Sequence, residues 1–270
     1  VNGGSFTIKA ETAIESYTDV VINNGTFDLD AYYAIYVDGT VAFNGGNFTI
    51  KAETAIESYT DVVIDNGTFD LDAYYAIYSY DTITVNGGTI KINATTNAIY
   101  GDGNVTINGG TLNIISEGDG IASDTKVSIF GGYIDVQSTD TVNDNSSFAI
   151  GCTDIVIDSG LVVQASTEHD GVLGAYDVTK VETYDRVVIY AAHTCSGGIK
   201  QSGQAATCTA AGWNDYYKCS ACEKLYTDAS CTTEITDLEA WKSGDGKIAK
   251  LDHTPETDDG DCTTAIKCSV

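Results

Sequence analysis

Residues 6–36 read FTIKAETAIESYTDVVINNGTFDLDAYYAIY, and the same string recurs at residues 48–78 with one difference, Asn23 in the first copy against Asp65 in the second. The two copies are 42 residues apart, and a weaker period of 21 or 22 residues lies inside this repeat and continues beyond it. The first apolar position of the short period is occupied by Phe6, Phe27, Phe48, Phe69, Ile90, Leu112 and Ile134, with a looser match at Val162. Such a period predicts stacked units that pack only on their neighbours.

Each unit contains three short apolar segments separated by turn residues. The first alternates, as at Phe6 and Ile8, so that both side chains point to one face of a strand. The second carries one isoleucine, as at Ile14, and the third alternates again, as at Val20 and Ile22, before a turn rich in Asn and Gly. Asn and Gly tolerate the positive φ that tight corners need. Because a unit of this size cannot bury its own inner face, stacking must form continuous apolar ladders.

These ladders predict an all-β fold, a right-handed parallel β-helix of about eight coils of 21–22 residues, followed by a small Cys-rich module. A β-sandwich is the competing interpretation. It would need hairpins, and it would not keep three columns in phase over so many units. We therefore predict the β-helix.

Composition changes near residue 190. Residues 1–190 contain one of the eight cysteines and no tryptophan or proline, whereas residues 191–270 contain the other cysteines, both tryptophans and the single proline. We expect a parallel β-helix repeat domain at 1–190 and Cys-rich repeats at 191–270, the second of them truncated. The chain contains no methionine, even at position 1, so we expect it to be a piece of a longer protein.

Charge excludes several classes of partner. With 13 basic and 39 acidic residues the net charge is −26, which repels nucleic-acid phosphate and anionic membrane surfaces. No apolar run approaches the roughly 18–20 residues that span a bilayer, and no basic-then-apolar signal segment opens the chain. We predict neither nucleic-acid binding nor membrane insertion for this chain.

Tyrosines crowd one side of the first five coils, interleaved with glutamates. A tyrosine ring can stack on a sugar ring while its hydroxyl bonds the sugar hydroxyls. The alternative is that aromatic residues simply favour strands and interlock between rungs. The predicted ligand-binding residues are Tyr17, Tyr36, Tyr59, Tyr78, Tyr80, Tyr100, Glu15 and Glu57.

Four aspartates at turns are candidate calcium ligands. Asp119 and Asp170 both precede the second apolar segment of their units, and Asp102 and Asp124 lie at a neighbouring corner in successive units. Calcium takes six to eight oxygen ligands, which stacked aspartates and carbonyls can supply. Asp-Gly is also ordinary turn chemistry, so a purely structural role is the alternative.

The run VTINGGTLNIISEGDGIASDTKVSIFGGYIDVQS at 105–138, with its double-glycine turn and GDGI corner, resembles the secreted carbohydrate-binding β-helix proteins of anaerobic, fibre-degrading bacteria. The resemblance covers about residues 1–185. It implies a pectate-lyase-like shape, calcium binding, and plant cell-wall polysaccharide as the partner. Asn97 and Thr12 stand where the family has the GDG aspartate.

The C-terminal part contains His193, Cys208, Cys219 and Cys222 in a pattern similar to the short repeats of large surface proteins of clostridia-like bacteria. These four side chains could hold a tetrahedral zinc ion, with the CxxC pair closing one turn. Disulfide pairing in an exported protein is the alternative. Under both, the module is structural, since four protein ligands leave no open position for chemistry.

Catalysis is not expected. A lyase of this fold needs an Arg or Lys base beside clustered carboxylates, and the single arginine, Arg186, lies next to the domain boundary. The sequence thus predicts a non-catalytic polysaccharide-binding module of an extracellular or cell-surface bacterial protein. A structural stalk or adhesin spacer is the first alternative, and a calcium-dependent polysaccharide lyase is the second.

Overall fold

The computed structural model describes residues 1–139, 147–191, 197–207, 210–219, 224–250, 254–255 and 268–269. The chain forms two compact units, Val1–Ala192 and His193–Val270. Within the described ranges, helix is limited to a 3-10 helix at Val178–Thr183 and to α1 at Leu238–Ser243. Neither of these helices is long and apolar enough to cross a membrane.

The first unit is built from strands that follow the repeat. They are β1 (Ser5–Ser16), β2 (Val20–Ile22), β3 (Thr26–Val37), β4 (Val41–Phe43), β5 (Asn47–Ser58), β6 (Val62–Ile64), β7 (Thr68–Ser79), β8 (Ile83–Val85), β9 (Thr89–Ala94), β10 (Ile99–Gly101), β11 (Val105–Ile107), β12 (Thr111–Ser116), β13 (Ile121–Ser123), β14 (Val127–Ile129), β15 (Tyr133–Ser138), β16 (Ile150–Cys152), β17 (Ile155–Ile157), β18 (Leu161–Ser166), β19 (Gly174–Ala175) and β20 (Arg186–Ala191).

Stacking of these strands confirms the predicted parallel solenoid. The short strands of the third segment form one parallel ladder in the order β2-β4-β6-β8-β11-β14-β17. The first segments form a second parallel ladder in the order β1-β3-β5-β7-β9-β12-β15. Its register places Phe27 opposite both Phe6 and Phe48, as the 21-residue period requires.

The seven rungs of each ladder make about six turns of solenoid. This is fewer than the eight coils that the spacing predicts. The expected eighth rung at Val162 does not stack on β15, because β20 lies between β15 and β18 and runs antiparallel to both. Arg186 at the start of β20 donates two hydrogen bonds to Asp135 of β15, from Nε to Oδ1 at 3.0 Å and from Nη2 to Oδ2 at 2.8 Å. The last strands thus close the apolar end of the ladder.

Phenylalanines are the largest fully buried side chains in the core of the first four coils. The rings of Phe27 and Phe48 stack with centroids 4.7 Å apart and planes within 6°, and Phe48 stacks on Phe69 with the same geometry. This separation equals the spacing of adjacent strands, so each ring lies flat on the one below. Phe27, Phe48 and Phe69 are at most 2% exposed.

Side-chain amides form a second ladder on the outside, at the turn after the third segment. Asn44 donates from Nδ2 to Oδ1 of Asn23 at 2.7 Å, and Asn23 donates in the same way to Asn2 at 2.6 Å. Asn86 donates to Asp65 at 2.7 Å. The predicted Asn-Gly turns are therefore locked by bonds between rungs as well as by backbone conformation.

The second unit contains short antiparallel strands. They are β21 (Ile199–Gln201), β22 (Gly212–Trp213), β23 (Tyr216–Lys218), β24 (Leu225–Tyr226), β25 (Glu234–Ile235), β26 (Lys247–Ile248), β27 (Thr254–Pro255) and β28 (Cys268–Ser269). The four strands β21, β23, β24 and β25 form one sheet, while β22 pairs with β26 and β27 with β28. Cys219 is buried and Cys231 is disulfide-bonded.

Candidate functional site

A groove on the first unit arises from the alternation of two kinds of coil within the 42-residue repeat. Where β3 and β7 carry tyrosines, β5 carries smaller side chains in register with them. Thr54 lies between Tyr33 and Tyr75, and Glu57 follows Tyr36 in the same column. A small residue between two large ones leaves a slot whose walls are about two strand spacings, roughly 10 Å, apart.

This tyrosine groove has a volume of about 420 Å³. Coils two to five all contribute to it. Its lining residues are Tyr33, Thr54, Glu57, Tyr75, Tyr78, Tyr80, Asn97 and Tyr100.

Tyrosine rings touch one another in a continuous arc along the groove. Tyr36 meets Tyr59 edge to face at 5.7 Å, and Tyr59 stacks on Tyr80 at 4.4 Å with planes 21° apart. Tyr80 then contacts Tyr78 at 4.7 Å, and Tyr78 stacks on Tyr100 at 5.5 Å. Mutual packing fixes the rings in place, so a bound molecule would cost little side-chain entropy here.

Two aspartates hold the outer hydroxyls of this arc. Tyr78 donates from its hydroxyl to Oδ1 of Asp102 at 3.3 Å, and Tyr100 donates to Oδ1 of Asp124 at 2.7 Å. Burial, with the adjacent carboxylates, raises the pKa of Tyr78 and of Tyr100. Both phenols therefore stay protonated at neutral pH, and each oxygen can still accept a hydrogen bond.

Glu57 is the buried acid of the groove. It is 8% exposed, and its carboxylate makes no hydrogen bond or ion pair with any residue that the structure describes. Burial raises the pKa of Glu57. Burial is also the main cause of the raised pKa of Tyr33 and of Tyr80, to which the charge of Glu57 adds. A buried carboxylate without a donor is an acceptor available to a ligand.

The structure brings together six of the eight predicted ligand-binding residues. Glu57 and Tyr36, Tyr59, Tyr78, Tyr80 and Tyr100 line the groove or its arc. The other two, Glu15 and Tyr17, lie on the outermost strand and the turn after it, where both are exposed. A side-chain hydrogen bond to Glu15 raises the pKa of Tyr17. Among the described strands, β1 pairs with β3, and neither Glu15 nor Tyr17 is among the lining residues of the groove.

Four lining residues were not predicted as ligands, namely Tyr33, Thr54, Tyr75 and Asn97. The 21-residue period of the sequence already indicated three of them. Aligning residues 21 apart places Thr54 between Tyr33 and Tyr75, which reveals a gap rather than another aromatic. Asn97 gave no such signal, because it lies in a turn outside the strands.

The predicted calcium ligands are not gathered at one point. Asp119 accepts a hydrogen bond from the backbone N–H of Phe148 at 2.7 Å, and burial raises its pKa. The pairing of β13 with β16 places Phe148, and not Asp170, next to Asp119 on the neighbouring coil. Asp170 is exposed and pairs with His169 at 3.1 Å after the parallel stacking has ended. Asp102 and Asp124 bond the tyrosine hydroxyls instead.

Within the described ranges, no group of three or more His, Cys, Asp or Glu side chains has the arrangement of a metal site. Of the predicted zinc ligands, His193, Cys208 and Cys222 lie outside the described residues, and Cys219 is buried. Calcium and zinc thus stay predictions from the sequence.

The arginine that a lyase would require as a base is held elsewhere. Arg186 and Asp135 are both largely buried and bonded at two positions, so the guanidinium serves to fix β20. The tyrosine groove contains no lysine or arginine among its lining residues.

Comparison with known proteins places the chain in a family. Searches of curated proteins and of solved structures returned no match. Residues 34–210, roughly two thirds of the chain, match the family described as "Carbohydrate-binding domain-containing protein". The matched range includes every lining residue of the groove except Tyr33, which directly precedes it. The chain belongs to this carbohydrate-binding domain family.

Proposed function

We propose that the first unit is a non-catalytic polysaccharide-binding module of a bacterial surface protein, and that the tyrosine groove holds the glycan. The observation that carries this proposal is the combination of stacked tyrosine rings with the unpaired carboxylate of Glu57 in one groove. Family membership gives carbohydrate as the class of ligand. The tyrosine groove is the place that we propose for it.

The chemistry of the groove suits a sugar chain. Rings at Tyr78 and Tyr100 offer apolar faces to the C–H side of a pyranose, while the Glu57 carboxylate can accept from sugar hydroxyls. Equivalent tyrosines at Tyr36 and Tyr78 are two rungs apart, roughly 10 Å, which is close to the repeat of a disaccharide in an extended polysaccharide. Successive disaccharide units, and thus every second sugar, could therefore meet equivalent rings.

Export to an oxidising compartment is part of the proposal. Cys231 is disulfide-bonded, and disulfides persist in secreted and surface proteins but are rare in reducing cytosol. The location on a bacterial surface rests on the resemblance of the C-terminal Cys-rich repeats. The plant cell wall as the source of the glycan rests on the resemblance of the β-helix repeat.

A glycan array tests the proposal directly. The chain would be applied to neutral and acidic plant and bacterial glycans, and the same would be done with a triple variant of Tyr36→Ala, Tyr78→Ala and Tyr100→Ala. We expect retention by the unchanged chain and its loss in the triple variant. Tyr17→Ala is the control, because Tyr17 is an exposed tyrosine of the same repeat outside the groove. An array that stays blank, or a triple variant retained as well as the control, would refute the proposal.

A spacer is the second candidate, favoured by the near-identical duplication of residues 6–36 at 48–78, since duplicating coils lengthens a solenoid without any new fold. It predicts no glycan retention in either form of the chain. The same array therefore separates the two functions.

A further inference from the structure

We propose that Glu57 is a specificity-determining residue, which makes the tyrosine groove select neutral glycans and reject glycans that carry carboxylates. This inference rests on the proposed function, because it concerns which glycan the same groove accepts. It assigns to the buried acid a role beyond that of one more hydrogen-bond acceptor.

Uncompensated negative charge in the groove is the first observation. Glu57 has no cationic partner in the described chain, and Asp102 and Asp124 flank the hydroxyl ends of Tyr78 and Tyr100. No lysine or arginine lines the groove. A ligand carboxylate placed here would meet charges of its own sign and no cation.

The basic side chains nearest in sequence to the groove are directed elsewhere. Lys9 pairs with Asp30 at 2.6 Å and Lys91 pairs with Asp70 at 3.0 Å. Both pairs lie on the outward side of the first-segment strands, where Lys51 and Asp70 also line a separate groove of about 500 Å³. The charges that could receive a uronate are therefore on a different part of the solenoid.

Burial strengthens the effect of Glu57 on a ligand. Water screens the repulsion between exposed charges, but Glu57 is 8% exposed and lines the groove together with tyrosines, so its carboxylate acts through a medium of lower dielectric constant than bulk water. A sugar hydroxyl, in contrast, donates to the same carboxylate in a charge-assisted hydrogen bond. One residue thus favours neutral sugars and disfavours acidic ones.

The repeat itself provides a matched control. Glu15 occupies the position in β1 that Glu57 occupies in β5, within the same local sequence, but it is exposed and outside the groove. Glu57→Gln and Glu15→Gln therefore change the net charge of the chain equally. Only the first changes the charge inside the groove.

Binding would be measured by biolayer interferometry on immobilised glycans, with chelator present so that no bridging cation masks repulsion. For each backbone that the array retains, the probes are its hydroxyethyl and carboxymethyl derivatives, which differ in charge but little in bulk. We expect the unchanged chain to bind the carboxymethyl form at least about tenfold more weakly than the hydroxyethyl form. Glu57→Gln should reduce this ratio about tenfold, and Glu15→Gln should leave it within about twofold.

One more variant and two possible outcomes decide the test. Glu57→Asp retains the charge and should retain the discrimination, whereas a change caused only by altered packing would appear in this variant too. Equal ratios in the unchanged chain, Glu57→Gln and Glu15→Gln would overturn the inference while leaving glycan binding intact. Failure of the unchanged chain to retain any underivatised glycan would instead overturn the proposed function, and the inference with it.

Discussion

Asn44 and Asp65 occupy the same turn position on adjacent coils, and the ladder of side-chain amide bonds is interrupted between them. Asn44 donates to Asn23 below it, and Asp65 accepts from Asn86 above it. A carboxylate has no N–H to donate, so nothing links Asp65 to Asn44. The one difference between the two 31-residue copies thus removes one bond from an otherwise regular ladder.

Restoring that bond should stabilise the solenoid. In Asp65→Asn the amide can donate to Asn44 and still accept from Asn86, which should add about 0.5–1.5 kcal/mol to the free energy of unfolding. For a unit of this size the melting temperature should rise by about 2–4 °C per kcal/mol. Asn23→Asp makes the reverse change in the first copy and should lower it. Equal melting temperatures in all three chains would contradict the role of the ladder.

The phenylalanine stack should dominate core stability. Phe48 is 2% exposed and packs between Phe27 and Phe69, so Phe48→Ala should cost about 3–5 kcal/mol through lost burial and the cavity left behind. Val21→Ala, at an exposed position of β2, should change stability by at most about 0.5 kcal/mol. Urea denaturation of the two variants would measure the difference. Similar midpoints would show that the stack does not carry the core.

Arg186 should hold the closing strands rather than the coils. Arg186→Met removes two charge-assisted bonds and leaves Asp135 largely buried and unpaired, at a cost of about 1–3 kcal/mol. Native-state hydrogen exchange should show lost protection in β20 and β18 but unchanged protection in β5 and β7. Combining it with Asp135→Asn should cost less than the sum of the two single changes. Exchange that rises uniformly through the solenoid would contradict a local role.

Glu57 should give the unit a characteristic pH dependence. Burial raises the pKa of Glu57 above the ordinary value that it has in the unfolded chain, 4.5. Below that pH, Glu57 is protonated in both the folded and the unfolded chain, and its burial does not lower the free energy of unfolding through ionisation. As pH rises, the unfolded chain ionises first, so the free energy of unfolding falls until the folded pKa is passed. Relative to Glu57→Gln, the unchanged chain should therefore lose stability between pH 4 and neutrality. A constant difference over that range would show that burial does not perturb this carboxyl.

Periodicity predicts most of the solenoid because each rung repeats the one before it. The register from Phe6 to Ile134 follows directly from spacing, as do the short strands such as Val20–Ile22. The end of the ladder could not be predicted in this way. Alternating residues in β20 bury the same faces whether the strand runs parallel or antiparallel, so direction depends on contacts such as Arg186 with Asp135.

The candidate site could be predicted from the sequence only in part, for a related reason. Composition identifies a surface rich in tyrosine, but a groove also depends on where side chains are small. Thr54 and Glu57 create the opening only through their register with the tyrosines of β3 and β7. The bonds from Tyr78 to Asp102 and from Tyr100 to Asp124 span 24 residues and involve turns, whose side-chain directions the period does not specify.

The most direct test is to fill the groove. Thr54→Tyr places a third ring in the column between Tyr33 and Tyr75, while Thr12→Tyr adds the same ring at the equivalent position of β1, outside the groove. Retention of the two variants on the glycans that bind the unchanged chain would be compared. If glycan lies in the groove, Thr54→Tyr should lose retention and Thr12→Tyr should keep it. Undiminished retention of Thr54→Tyr would show that the glycan binds elsewhere.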